Sequence, residues 1–585
     1  MARKQKPLRP YFEKMPDIGK ELTKRDLSMG KRNLADIKEQ EDLIAEAVKK
    51  VEEAGKPAEK VRARGQMTVY DRIEYLVDEG TWCPLHTFFN PADNEEGCTA
   101  VVDGLGKIEG KWAVIIGFDN KVIAGAWIAG QSENILRVTD MAKRLNIPLV
   151  WITNCSGVKL PEQEDIYPNR RGSGTPFFRH AELNKLGIPV LNAIYGTNPA
   201  GGGYQGISPT ILLAHEGANI AVGGAGIVGG MSPKGHFDLE GVQGLIEATK
   251  NFKAKAPGRV ETHFDHTAYF REVHETEQGV LDGIKDYMKG IPAYAPRFFQ
   301  VAEPVEPKFP GDELNYILPI NQKRVYDSIE VLARLTDNSE FMEYRPDYGP
   351  EVFTGVAKIG GFPVGVIGNR QGFFKNYPEY RGEDATGVGG KLYRQGLIKM
   401  NEFVTFCGRD NLPIIWLQDT TGIDVGDPSE EAELLALGQS VIYSIEKTDL
   451  PMMCIMLRKG SAAAHYVLGG PQANENNAFT IGTPLTEIYV MHGETAAAAA
   501  YSRRLVKEQD AGRDLEPVIE KMNQMVQSYY DKSRPIFCAQ RGFIDEIVSL
   551  PLLRNYCLAF SEASYQNPKS ITPVHQMILP RTIRG

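Results

Sequence analysis

Apolar runs that follow an X-Pro step and then break into small residues recur along this chain. One is NIPLVWITNCSG at 146–157, and a second, IPVLNAIYGTNPAGGGY, follows at 188–204. Continuous runs of this kind suit buried parallel strands. The small residues after them suit tight strand-to-helix turns that leave backbone N–H groups accessible. Both runs return as NLPIIWLQDTTG at 411–422 and LPMMCIMLRKGSAAAHY at 450–466. Fifteen positions separate Pro189 from Tyr204, as they do Pro451 from Tyr466, and eleven separate Asn146 from Gly157, as they do Asn411 from Gly422. Two further pairs, 69–74 with 325–330 and 106–110 with 357–361, keep the same order. The four offsets are 256, 251, 265 and 262. Four echoes in order at this period mean two copies of a whole domain, not a solenoid.

Read in order, 1–60 is charged, with helical spacing from 34 that ends at Gly55 and Pro57. It predicts an exposed arm or packing helix. A first domain is expected at about 61–300. It opens with an amphipathic helix over 67–82, then strands at 98–103, 106–109 and 113–118, a helix over about 132–145 and a strand at 148–152. The segment 301–322, with four prolines in 301–319, reads as a linker. A second domain fills 323–585, and weak periodicity from 544 predicts a surface-wrapping tail. Strands alternating with helices make this an α/β chain.

Length and composition narrow the class. A chain of 585 residues exceeds one core. A net charge of −9 argues against a general nucleic-acid or acidic-membrane binder. The seven cysteines show no paired spacing, so free buried thiols are expected. The basic N-terminus lacks an apolar core, so no signal peptide is indicated. No apolar run reaches 18 residues, so no membrane span is expected.

The chemistry concentrates in the turns. Glycine lets N–H groups approach a ligand atom, and two such donors on one oxygen make an oxyanion hole. Candidate donors lie in Gly201-Gly202-Gly203 with Ser156-Gly157-Val158 in the first copy, and in Ala462-Ala463-Ala464 with Gly422-Ile423 in the second. Gly157, Ala200, Gly422 and Ala462 line the same turns as substrate-binding candidates. Small residues packed closely at a helix–strand contact are the alternative for any one turn; duplication weighs against it. Gly224, Gly226 and Gly229 form a literal G-x-G-x-x-G, but Pro233 and two glycines interrupt the helix a dinucleotide site needs. A glycine loop lining a ligand cleft is the preferred reading. The run TAAAAA at 495–500 reads as a closely packed helix.

Side-chain catalysts are scarce. No G-x-S-x-G with a paired His, no HExxH and no P-loop occurs. Glu162, Glu164 and Asp165 read as a solvated loop more readily than as acid–base groups, and His465 and His492 as structural or lining residues, not metal ligands.

The motifs SGVKLPEQEDIYP (156–168), YGTNPAGGGY (195–204), LQDTTGIDVG (417–426) and RKGSAAAHYVLGG (458–470) resemble the biotin-dependent acyl-CoA carboxyltransferase family over roughly 60–510. That resemblance implies two tandem crotonase-like (ClpP/crotonase) ββα-superhelix domains, the first binding the acyl-CoA and the second binding biotin. It puts one oxyanion hole at Val158 and Gly201/Gly202, and a second, for the ureido oxygen of biotin, at Ile423 and Ala463/Ala464. Two departures stand out: Ala-Ala-Ala at 462–464, and Ser-Gly-Val-Lys at 156–159 where many relatives have SGGA.

Over its full length the chain looks most like the family's decarboxylase branch. This implies glutaconyl-CoA as substrate and crotonyl-CoA as product, with no metal and no ATP. With no AMKM-like site here, biotin would arrive on a carrier subunit, beside a membrane sodium-pump decarboxylase subunit. At least a homodimer is implied, cytoplasmic or peripheral at the inner face of the membrane through partners. Arg170, Arg171 and Lys159 are candidates to grip the distal carboxylate. A propionyl-CoA- or methylcrotonyl-CoA-type carboxylase is the sibling reading; a crotonase-type hydratase or isomerase, or a scaffold subunit, are the readings from other classes.

Overall fold

Strand pairing begins at two glycine-bearing turns. Val101–Ile108 and Lys111–Phe118 pair antiparallel around Glu109-Gly110, both at positive φ (52° and 75°). Val352–Ile359 and Phe362–Asn369 pair the same way around Gly360-Gly361 (66° and 79°). Positive φ at both central residues is the turn that matches the twist of a tight hairpin. Each turn is held by one aspartate. Asp78 accepts from the N–H of Glu109 (3.1 Å) and Gly110 (2.7 Å), and Asp337 from Gly360 (3.0 Å) and Gly361 (2.7 Å). The break expected between 103 and 106 is absent. Gly104 sits inside a continuous strand, where a Cβ would meet the Cys83 carbonyl oxygen of the edge strand at 2.3 Å.

The computed structural model describes residues 14–167, 170–207, 209–224, 257–291 and 299–571. The chain divides into an N-terminal unit, 47–293, and a C-terminal unit, 294–585 together with 1–46. The sheet of the N-terminal unit runs Cys83–Leu85, Val101–Ile108, Lys111–Phe118, Leu149–Thr153, Val190–Ile194, Ile211–His215, Glu272–His274. The sheet of the C-terminal unit runs Met342–Glu343, Val352–Ile359, Phe362–Asn369, Ile414–Gln418, Met452–Met456, Asn477–Gly482, Glu546–Ile547. In both, the first three strands are antiparallel and the remaining four parallel. Short parallel pairs stand outside each sheet: Thr197–Pro199 with Asn219–Ala221, and Lys459–Ser461 with Glu487–Tyr489. This is the crotonase-like ββα superhelix, built twice.

The helices before the echoed strands are Gln131–Leu145 and Arg394–Asp410. Each ends on an asparagine in the left-handed region, Asn146 (φ 53°, ψ 46°) and Asn411 (φ 57°, ψ 46°). Asparagine tolerates that conformation better than other side chains, which is why both echoes start on it. The N-terminal core packs Val69, Ile73 and Leu76 of helix Val69–Leu76 against Ile115, Val150, Ile152 and Leu191 of the sheet.

In the C-terminal unit the first half of the 301–322 segment is largely exposed and the second half packs: Leu314 and Leu318 are fully buried. Residues 495–500 lie in helix Gly493–Asp510, and a Cβ on Gly493 would stand 3.2 Å from the Val526 Cα of helix Glu516–Asp531. The expected surface-wrapping tail is corrected: Glu546–Ile547 completes the sheet, and helix Leu553–Gln566 buries Leu553, Tyr556, Cys557, Ala559, Phe560 and Ala563. Its solvent-facing stripe is narrow, exposed Asn555 with half-buried Leu558 and Glu562, which weakens the amphipathic period. All seven cysteines are unpaired and buried, and no described helix is long and apolar enough to cross a membrane.

The paired caps are testable. Asn146→Ala and Asn411→Ala each place a Cβ-bearing residue without a helpful side chain at left-handed φ, costing about 1–2 kcal/mol, whereas Asn→Gly at either site costs little. Differential scanning fluorimetry is expected to show alanine lowering the melting temperature by about 2–4 °C and glycine leaving it within a degree or so.

Candidate active site

Each echoed strand delivers the chain into a turn with the same backbone. Gly157 and Gly422 have φ of 102° and 133°, and Ala200 and Ala462 have φ of 49° and 50°. After Ala200 the chain enters helix Gly201–Ile207; Ala462 opens helix Ala462–Val467. First-turn amides of a helix have no intrahelical acceptor. Those of Gly201, Gly202, Ala463 and Ala464 are of this kind.

The facing amides are also left off the ladder. Trp127 N–H donates to Gly157 O (2.8 Å) and Lys159 N–H to Trp127 O (2.9 Å), so the intervening Val158 amide faces away from Trp127. Asp424 N–H donates to Leu392 O (3.0 Å), and the pairing of Leu392 with Ile423 leaves the Ile423 amide facing away likewise. In the N-terminal unit the two turns are in contact. A Cβ on Gly202 would lie 2.4 Å from the Cys155 carbonyl oxygen, and one on Gly157 would lie 3.5 Å from Pro199. The arrangement suits stabilisation of negative charge growing on a carbonyl-type oxygen.

Side chains brace the turns. Buried Asn198 accepts from Cys155 N–H (2.7 Å) and donates to Tyr195 O and Asn219 O. In the C-terminal unit buried Asp419 accepts from Lys459 N–H (3.2 Å), Tyr326 Oη (3.0 Å) and Arg458 Nε (2.9 Å). Burial raises the Asp419 carboxyl; Arg458 and Lys459 outweigh this and hold it below the usual range.

The candidates from sequence divide. Gly224 lies against Pro199 (3.5 Å from its Cβ position), whereas Gly226 and Gly229 lie outside the described residues. Lys159 pairs with Glu162 (2.5 Å) and Arg171 with Glu133 (3.0 Å), while Arg170, Glu164 and Asp165 are exposed. His465 is buried beside Gln418, and burial pushes it down to about 4, so it stays neutral near pH 7. Among the described residues no group of three His, Cys, Asp or Glu is placed to hold a metal.

The model of the carboxyl transferase domain matches residues 60–578. This chain belongs to the carboxyl transferase family. It is 57% identical over 575 residues, 98% of this chain and 97% of the relative, to "Glutaconyl-CoA decarboxylase subunit alpha" of Acidaminococcus fermentans. It is 24% identical over 493 residues, 83% of this chain and 86% of the relative, to the biotin-dependent 3-methylcrotonyl-coenzyme A carboxylase beta1 subunit of Mycobacterium tuberculosis. The crystal structure of the geranyl-CoA carboxylase beta subunit of P. aeruginosa aligns over 96% of this chain and all of that one, with TM-score 0.74 and 20% identity. That likeness bears out the two-domain crotonase-like fold.

Within the carboxyl transferase frame one buried network went unread in the sequence. Glu351 accepts from Tyr377 Oη (2.7 Å) and Tyr393 N–H (3.1 Å), anchoring both ends of the loop between them. Burial pushes its carboxyl up to about 7. Burial also lowers the Lys399 ammonium to about 8.

Glu351 gives a signed pH dependence. From its ordinary 4.5 up to about 7 the folded chain holds a proton that the unfolded chain has lost. Stability therefore falls across that window as pH rises, by about 3 kcal/mol at the limit. Melts of Glu351→Gln against wild type are expected to show that decline flattened, with the variant comparing best at pH 8; an unchanged pH slope refutes the assignment.

Proposed function

We propose that this chain is the carboxyltransferase subunit of a biotin-dependent decarboxylase, taking the distal carboxylate from glutaconyl-CoA and releasing crotonyl-CoA. The observation that carries the mechanism is the twice-built turn, each copy with main-chain amides off the ladder. The choice of glutaconyl-CoA follows the relative that is 57% identical over nearly the whole chain.

In this reading 61–300 is the acyl-CoA domain and 323–585 the biotin domain, with 1–60 an arm and 301–322 their connection. Cleavage of the C–C bond to the distal carboxylate leaves its electron pair delocalised onto the thioester oxygen. The amides of Val158 and Gly201/Gly202 take up that charge; protonation of the carbon chain then gives crotonyl-CoA. Gly157, Ala200 and Gly224 line the acyl site. Biotin, when bound, supplies a ring nitrogen that accepts the carboxyl group. The residues present fit its ureido oxygen: the Ile423 amide faces away from its ladder neighbour, and exposed Ala463 stands in the first turn of helix Ala462–Val467, which packs against that strand. Gly422 and Ala462 line that site, with Ala463 and Ala464 as donors. Donors fixed before reaction favour charge that develops only in the transition state. The partners would be a biotin carrier subunit, a sodium-pumping membrane subunit and at least one further copy of this chain.

The purified protein is expected to release crotonyl-CoA from glutaconyl-CoA when free biotin is supplied. Activity with only another acyl-CoA would select the carboxylase alternative. Gly202→Val, whose Cβ would collide with the Cys155 carbonyl, is expected to lose about 10²-fold or more in turnover while far-UV circular dichroism stays that of wild type. Undiminished turnover in that variant rejects the first oxyanion hole.

A further inference from the structure

The two turns are alike, but only one is clamped. Twelve residues, 119–130, join strand Lys111–Phe118 to helix Gln131–Leu145, whereas twenty-four, 370–393, join strand Phe362–Asn369 to helix Arg394–Asp410. The extra length includes the hairpin Phe373–Lys375 with Thr386–Val388. It also brings three side chains onto Asp424, the residue after Ile423. Arg381 Nε reaches Asp424 Oδ2 at 2.6 Å, Tyr380 Oη reaches Oδ2 at 2.8 Å and Lys391 Nζ reaches Oδ1 at 3.1 Å. Ser429 Oγ adds a fourth donor at 2.9 Å, and Arg381 also donates to Val425 O at 2.6 Å. Lys159, at the matching place after Val158, pairs among the described residues with half-buried Glu162.

We propose that Asp424, gripped by Arg381, Tyr380, Lys391 and Ser429, is a positioning residue that fixes the Ile423 amide toward the ureido oxygen of biotin. This rests on the proposed function above. Clamping the Asp424 side chain from four directions and its N–H on Leu392 fixes the Ile423–Asp424 peptide plane. The Ile423 N–H lies one plane earlier, in the Gly422–Ile423 peptide, which the pairing of Lys391 with Gly422 and of Leu392 with Ile423 holds on its other side, so Ile423 is left little freedom between them. The asymmetry fits the two ligands. An acyl-CoA is held along a long nucleotide tail, whereas biotin is a small neutral urea that must be met by donors already in place. The donor set also explains the carboxylate's state: these hydrogen bonds outweigh partial burial and hold Asp424 down at about 2. It is therefore charged at any pH at which the protein works.

Asp424→Asn separates positioning from simple charge. The cluster of Arg381, Lys391 and Asp424 carries a net +1, and the substitution makes it +2. If the cluster acted through its field, turnover with biotin would rise. Positioning predicts a fall of about 10–10²-fold with free biotin as acceptor, with KM for glutaconyl-CoA within about twofold of wild type. A readout independent of turnover is amide hydrogen exchange by mass spectrometry: peptides covering 419–425 are expected to exchange about tenfold faster in the variant, with strand Ile414–Gln418 unchanged. Tyr380→Phe, which removes one donor and keeps the ring, is expected to give a smaller loss in the same direction and serves if Asp424→Asn does not fold. Unchanged or raised turnover, unchanged exchange, or an equal loss of glutaconyl-CoA binding each overturns the proposal. A wild-type protein inactive on glutaconyl-CoA with biotin would sink the underlying function instead, and the exchange comparison would still test the clamp.

Discussion

The structure depends on main-chain N–H groups withheld from pairing. A buried amide without an acceptor is costly, so a fold that leaves one unpaired at a turn must hold the turn by other means. Here the means are visible in both units. The chain passes through Ala200 and Ala462 at left-handed φ, a conformation costing about 1–2 kcal/mol for a residue with a Cβ. Buried polar side chains then tie each turn to its neighbour: Asn198 onto Cys155, Asp419 onto Lys459. The parallel strands behind supply the rigid base. Replacing those braces with apolar residues would leave the strands intact and the turns free to swing their amides into ordinary pairing.

The tie is made with different chemistry in the two units. In the first it is a neutral amide. In the second it is a carboxylate, and that choice propagates: Asp419 must be paired with Arg458, whose Nη1 in turn donates to Pro319 O (3.2 Å) and Arg324 O (2.9 Å). The end of the 301–322 segment is thereby fastened to the turn at Pro319. A charged brace thus orders a length of chain that a neutral one would leave alone.

Much of this was legible in the sequence because the duplication repeats local rules. Asn146 and Asn411 stand in register because both must adopt left-handed φ at a helix end, and Gly110 and Gly361 because both close a tight hairpin. The candidate donors lie on turns whose geometry matches between copies for the same reason. What stayed hidden lacks a local signature. Asp424 meets Tyr380 and Arg381 across more than forty residues, and no spacing rule announces such a meeting. The C-terminal helix looked like a tail because burial over most of its surface weakens the amphipathic period.

Each unit also buries one arginine over a tyrosine ring, and the two are not echoes of each other. Arg72 lies 3.9 Å from the Tyr195 ring and pairs with Glu277 at 2.9 Å; Arg458 lies 4.7 Å from the Tyr326 ring and pairs with Asp419 at 2.9 Å. Arg72 belongs to helix Val69–Leu76, Arg458 to the segment leading into the turn itself. A buried ion pair adds little net stability over an apolar replacement, but removing one partner strands the other at a cost of about 3–5 kcal/mol. Such a pair is therefore a poor glue and a strict gauge of position. Arg72 joins helix Val69–Leu76 to helix Glu277–Gly290 beside strand Val190–Ile194, setting the scaffold. Arg458 applies the same gauge one residue before the short strand Lys459–Ser461, which leads directly to Ala462. The second unit thus combines a charge-fixed strand entering one side of its donor pair with a charge-fixed Asp424 on the other, and the described residues of the first show no matching pair. The copies share a backbone; where charged side chains fix it has diverged.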